Sequence, residues 1–150
     1  MGRVERGAAR KVAGVRPVGF FDELMPGWGF RGGGSIKDAA RTSGEPDEQG
    51  ILSYLRQGAE IWSEMGAQPD VLDPEGPILA GAGSLYTDGV WLWRDDLTYY
   101  VATYHLVLPQ DFITHVRERD HAPPRVPESQ LLDILTNDLG IRVGRAGTAG

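Results

Sequence analysis

Asp111 and His115 stand at i and i+4, so a helix through them sets a carboxylate and an imidazole on one face. That spacing can hold a divalent ion if further ligands come from elsewhere, and His105 is the nearest upstream donor. The run does not spell H-E-x-x-H. Without a metal the same residues read as a solvated face, where Asp111 favours the helix N-terminus and His115 pairs with it. His105, Asp111 and His115 are the candidate metal ligands.

A second possibility is anion binding. Gly27-Trp28-Gly29-Phe30-Arg31-Gly32 spells G-x-G-x-x-G, which in a dinucleotide fold follows a strand and opens a long helix. Here it follows Met25-Pro26, carries bulky aromatics, and leads only to a short helix behind Ser35. What survives is a simple anion cradle of Arg31, Gly33, Gly34 and Ser35. The competing reading is a packing loop that tucks Trp28 and Phe30 into the core.

Nucleophilic catalysis finds no support. The chain has no cysteine, and neither Ser84 nor Ser129 sits in G-x-S-x-G. The adjacent carboxylates of Asp95 and Asp96 follow a strand, but acids at a helix start serve capping and the helix dipole. Trp91, Trp93, Arg94 and Tyr99 concentrate aromatic area beside a guanidinium. If exposed they form an interaction hot spot; if packed on both faces they form a core.

These residues must be positioned by a chain of short elements. Asp88-Gly89 between Ser84–Thr87 and Val90–Trp93 predicts a tight hairpin, because Asp-Gly supplies the positive φ of a two-residue turn. Beyond Trp93 the apolar period changes to helical: Leu97, Tyr100, Val101 and Tyr104 make one stripe. Pro109 opens the next helix, with Phe112, Ile113 and Val116 inward. A last helix runs from Pro127 to Leu139 and stops at Gly140. Upstream, Ser35 caps a helix over 36–41, and Ile51, Tyr54 and Leu55 mark a helix after Asp47 that ends at Gly58. Residues 59–65 fit strand or helix, and 78–86 read as extended with a break at Gly81 and Gly83. The sum is an α+β fold: a single domain over 17–143, with a small antiparallel sheet around the Asp-Gly hairpin covered by short helices. Residues 1–16 read as a flexible basic lead and 144–150 as a flexible tail.

Composition narrows the partners. The 150 residues carry 24% charged and 41% hydrophobic side chains, ordinary for a globular protein. The lead holds five basic residues against Glu5, a balance of +4, which leaves −10 on residues 17–150 of a chain at −6. So acidic a body disfavours nucleic acid and anionic membranes and suits a basic protein partner. No apolar run approaches the ~20 residues of a membrane span. The N-terminal arginines precede no apolar stretch, so a cytoplasmic location is expected. No cofactor is implied, and oligomeric state is not set by the sequence.

Thr87-Asp-Gly-Val-Trp-Leu-Trp-Arg-Asp-Asp-Leu-Thr-Tyr-Tyr-Val101, with Tyr104-His-Leu-Val-Leu-Pro-Gln-Asp-Phe112, His115 and the earlier Asp70-Val-Leu-Asp-Pro74, resembles small uncharacterised actinobacterial proteins. The resemblance covers about half of the chain. Some proteins with similar hairpin-plus-helix segments look like immunity proteins, which bind and neutralise a toxin. The lack of a catalytic constellation, the acidic body and the aromatics beside Arg94 predict a non-enzymatic, protein-binding module that engages a basic partner through an acidic surface and aromatic anchors, and the resemblance implies that it is immunity-like. The alternative is a small metal- or anion-binding enzyme or ligand binder, at the glycine-rich loop or at His105, Asp111 and His115.

Overall fold

The computed structural model describes residues 14–24, 28, 30 and 33–141. The expected lead over 1–13, the tail over 144–150 and Arg31 lie outside the described residues. In chain order the strands are β1 (Arg16–Pro17), β2 (Ala59–Trp62), β3 (Ala67–Pro69), β4 (Ile78–Ala80), β5 (Leu85–Thr87) and β6 (Trp91–Arg94). The helices are α1 (Ile36–Ala39), α2 (Glu48–Arg56), α3 (Asp96–Tyr104), α4 (Gln110–Glu118) and α5 (Glu128–Asp133), the last continuing into a π-helical turn over Ile134–Asp138. A single α+β domain results, with a mixed sheet ordered β1-β6-β5-β2.

The β5–β6 hairpin forms as the sequence predicts, with its turn one residue further on. Tyr86 faces Trp93 and Thr87 faces Leu92, so the two central residues are Gly89 and Val90. Gly89 takes the positive φ of +97°. Asp88 follows β5 and pairs across from Trp91 instead of taking the first central position of the turn, and its carboxylate turns inward and accepts the amides of Val90 and Trp91.

β1 lies where a flexible lead is expected. Arg16 and Val18 donate to the carbonyls of Val90 and Leu92, adding a parallel edge strand to β6. Pro17 between them lacks an N–H and needs no partner there. Parallel pairing across so long a loop leaves no local signal in a two-residue segment.

Helices α2, α3 and α4 cover one face of the sheet, where Trp91 and Trp93 meet Ile51, Tyr54, Leu55, Leu97, Tyr100 and Phe112. The opposite face carries Leu85 and Leu92, packed with Val15, Phe20, Ile61 and Ile134 and flanked by Leu131, Leu135 and Leu139. The sheet is therefore buried on both sides. That explains why β6 reads as a continuous apolar run instead of alternating.

β2 to β5 form one long hairpin. Trp62 faces Leu85 and Ala67 faces Ala80, so both strands advance equally and the register of β2–β5 carries through into β3–β4. A turn over residues 81–83, with Gly81 at φ +68°, kinks the ribbon, and its Ala82 is fully buried. The expected break at Gly81 and Gly83 is that kink.

Candidate functional site

The three candidate metal ligands are not brought together. His105 ends α3 in the left-handed conformation and places Nδ1 3.0 Å from the Glu48 carboxylate oxygens. Asp111 takes the Arg16 guanidinium, which lies 4.1 Å over the Trp91 ring; that contact holds the Asp111 carboxyl below its usual range. His115 faces Asp88 with Nε2 2.9 Å from Oδ2. Asp111 and His115 do share α4, but one reaches β1 and the other the hairpin. Among the described residues no group of three or more His, Asp or Glu side chains can hold a metal ion. The expected metal site is corrected to three separate structural pairings.

The expected anion cradle is filled from within. Glu23 accepts the Ser35 hydroxyl and the Ile36 amide, so the protein's own carboxylate occupies the start of α1. The hydroxyl, then the amide, hold Glu23 below the usual carboxyl range. Ser35 Oγ also caps Lys37 N at 3.1 Å, as its residue type predicts. Gly33 serves packing: a Cβ there would sit 2.1 Å from the Phe20 carbonyl oxygen.

The aromatic anchors are core. Trp91 is 3% and Trp93 0% exposed, so neither indole can meet a partner. Trp93 Nε1 donates to the Leu55 carbonyl, ending α2 against the sheet. Arg94 is buried in a two-bond ion pair with Asp96, both contacts 3.0 Å. Tyr99 is half-buried and donates to Asp70. For Trp91, Trp93 and Arg94 the expected hot spot is thereby corrected, because burial on both sheet faces consumed them; Tyr99, on α3, stays half-exposed.

Two carboxylates that the sequence marked only as a turn residue and as part of the Asp70–Pro74 run organise the fold. Asp88 accepts the Tyr54 hydroxyl in addition to His115 and the turn amides. Asp70 accepts the hydroxyls of Tyr99 and Tyr104, each at 2.7 Å, and the Leu72 amide. Tyr100 Oη accepts the Val71 amide, so the tip of the ribbon is fastened onto α3. Buried aspartates between hydroxyl donors are structural locks, with their lone pairs already taken.

No protein-family model, curated protein or solved structure matches the chain. What the chain can do rests on its own geometry.

The surface feature that stands out is the outer face of the β3–β4 ribbon. Pro69 faces Ile78 and Ala67 faces Ala80, so these four side chains share one face, with Met65 in phase. All five are exposed, Met65 at 96% and Ile78 at 67%. Leu79, on the other face, packs on the core. The same stretch of chain carries the exposed acids Glu64, Asp73 and Glu75. From Gln57 to Tyr104 the chain has one cation, Arg94, and it is buried on Asp96. The signal was present in the sequence as a period-two apolar pattern inside a stretch, Gln57 to Trp93, empty of Lys, Arg and His.

Asp95 is a further carboxylate of this cation-poor stretch, placed before α3. It stands at the N-cap of α3 but in helical conformation, with no side-chain cap bond, contrary to the capping expected of it. Its carboxylate has no hydrogen bond or ion pair among the described residues. Burial, with Asp96 and Glu60 nearby, pushes its pKa up. No helix among the described residues is long and apolar enough to cross a membrane.

Proposed function

We propose that the chain is a non-enzymatic binding module that engages a basic protein partner, in the manner of an immunity protein. The supporting observation is the β3–β4 ribbon: an exposed apolar stripe of Met65, Ala67, Pro69, Ile78 and Ala80, in a stretch that holds the exposed acids Glu64, Asp73 and Glu75 and no exposed cation from Gln57 to Tyr104. A protein interface needs an apolar centre, here with methionine among its preferred residues, and a polar rim. Carboxylates on that rim accelerate encounter with a basic partner and repel acidic ones. The Asp70 lock on Tyr99 and Tyr104 pre-orders the ribbon, which reduces the entropy lost on binding. Binding replaces catalysis in this reading because the buried aspartates and all three histidines are engaged in internal pairings.

The test is capture from the source cell by immobilised protein at low and moderate salt, beside a Glu64→Lys/Glu75→Lys variant and Met65→Asp. The reading expects a protein of net positive charge, retained by wild type at low salt, weakened by salt and lost with either variant. Equal retention by wild type and both variants, or no retained basic protein, rejects it.

A further inference from the structure

The end of α2, the middle of β5 and the start of α3 enclose a cavity of about 370 Å³ lined by Leu55, Arg56, Tyr86, Asp95, Thr98 and Tyr99. Leu55 is its buried floor, while Tyr86 and Tyr99 are half-buried walls. The carboxylate of Asp95 is the one acid among its lining residues. The contrast with Asp96, the next residue, is chemical: Asp96 has a guanidinium on both oxygens, and Asp95 has none. Glu60 lies directly across the ladder from Tyr86 and adds a second negative charge at the rim. Arg56 lines the cavity but makes no ion pair with Asp95. The negative end of the α2 dipole and the positive end of the α3 dipole meet here and oppose each other. The carboxylates therefore set the sign of the field.

We propose that this cavity receives the side-chain cation of an arginine or lysine from the basic partner. This inference rests on the proposed function and names the contact that would anchor it. Asp95 supplies the counter-charge, the rings of Tyr86 and Tyr99 supply faces on which a guanidinium or ammonium can lie, and Thr98 supplies a hydroxyl. A half-buried carboxylate gains more from such a cation than one on an open surface, because less water screens the pair. Among the described residues no donor occupies Asp95, so none of them has to be displaced when the cation enters.

The probes are Nα-acetyl-arginine amide and Nα-acetyl-lysine amide, with Nα-acetyl-citrulline amide as the neutral isostere of the first. Each is titrated into the ¹⁵N-labelled full chain and followed by amide chemical shifts. The cations are expected to move the resonances of Tyr86, Asp95 and Thr98, and citrulline to leave them in place. Asp95→Asn should weaken the response about tenfold or more, the loss of one charge-assisted contact, while Tyr86→Phe, which keeps the ring, should retain it. Thermal melts of both variants report that they fold. Equal shifts by arginine and citrulline, an unchanged response in Asp95→Asn, or shifts confined to the β3–β4 ribbon would overturn the proposal. Partner capture that survives Asp95→Asn but is lost with ribbon charge reversal leaves the proposed function standing and removes the cavity from it. Cavity shifts with no basic protein captured do the reverse.

Discussion

Oδ2 of Asp88 accepts the phenolic hydroxyl of Tyr54 while His115 Nε2 stands 2.9 Å from the same oxygen. Its other oxygen holds the amides of Val90 and Trp91, at 2.9 and 2.7 Å. One side chain thus joins α2, α4 and the β5–β6 turn, and it is buried. Burial raises the pKa of Tyr54, and the Asp88 carboxylate beside it raises it further, so the phenol stays the donor.

Asp88→Ala should be among the most damaging polar substitutions. It leaves two turn amides and a phenol without partners in a dry site, a cost of about 3 kcal/mol or more. Asp88→Asn keeps an acceptor for the turn and should lose less. Urea unfolding of both variants checks the order; equal losses would show that the turn amides do not depend on Oδ1.

Acid should unfold the protein through its fastened carboxylates. Burial pushes Asp70 up, but the Tyr104 and Tyr99 hydroxyls with the Leu72 and Asp73 amides outweigh it and hold its pKa low. A carboxyl depressed in the folded state contributes stability above its unfolded pKa of about 3.9, and loses it as pH falls through the folded value. Tyr99→Phe/Tyr104→Phe removes two donors and leaves burial, so Asp70 should titrate at higher pH. The acid limb of a stability profile between about pH 6 and about pH 2 should move upward. An unmoved limb would mean that the ribbon tip contributes nothing to acid sensitivity.

The buried Arg94–Asp96 pair predicts an asymmetry between single and double replacement. Arg94→Met strands a carboxylate in the interior and should cost about 3–5 kcal/mol, whereas Arg94→Met/Asp96→Leu should recover most of that loss. A double-mutant cycle in denaturant measures it. Additive losses would show that the two residues act independently despite both 3.0 Å contacts.

What the sequence made legible is what local chemistry decides. The β5–β6 hairpin, the Leu97–Tyr104 stripe, the Ser35 cap and the Pro109 helix start follow from turn preference and period, and each forms, the hairpin with its turn shifted by one residue to Gly89-Val90. The metal and anion candidates failed for a non-local reason. Glu48, Arg16 and Glu23 are remote in sequence from, or silent about, the groups they engage, so no spacing within 105–115 or 31–35 could reveal that those groups were already taken. Asp95 and Asp96 look equivalent in sequence. Only the direction of β6 decides that one meets Arg94 and the other a cavity.

Gly58 joins the two kinds of information. As a residue after Gln57 it suits a helix stop, and α2 does end there. Yet a Cβ at Gly58 would lie 2.5 Å from Cζ2 of Trp93 and 3.3 Å from the Thr87 carbonyl oxygen. Close approach of backbone to an immobile indole is thus the stronger demand. Trp93 cannot yield, because its ring packs against Tyr54 and Phe112 and its Nε1 is held by the Leu55 carbonyl. Gly58→Ala should therefore lose about 1–3 kcal/mol by overpacking, although alanine ordinarily stabilises a chain by restricting its unfolded state. Trp93→Phe in the same background frees the contact and should return part of the loss. Thermal unfolding of the two variants and their combination decides it: an alanine that leaves stability unchanged would mean that the indole moves, and that α2 is not seated on the sheet through Trp93.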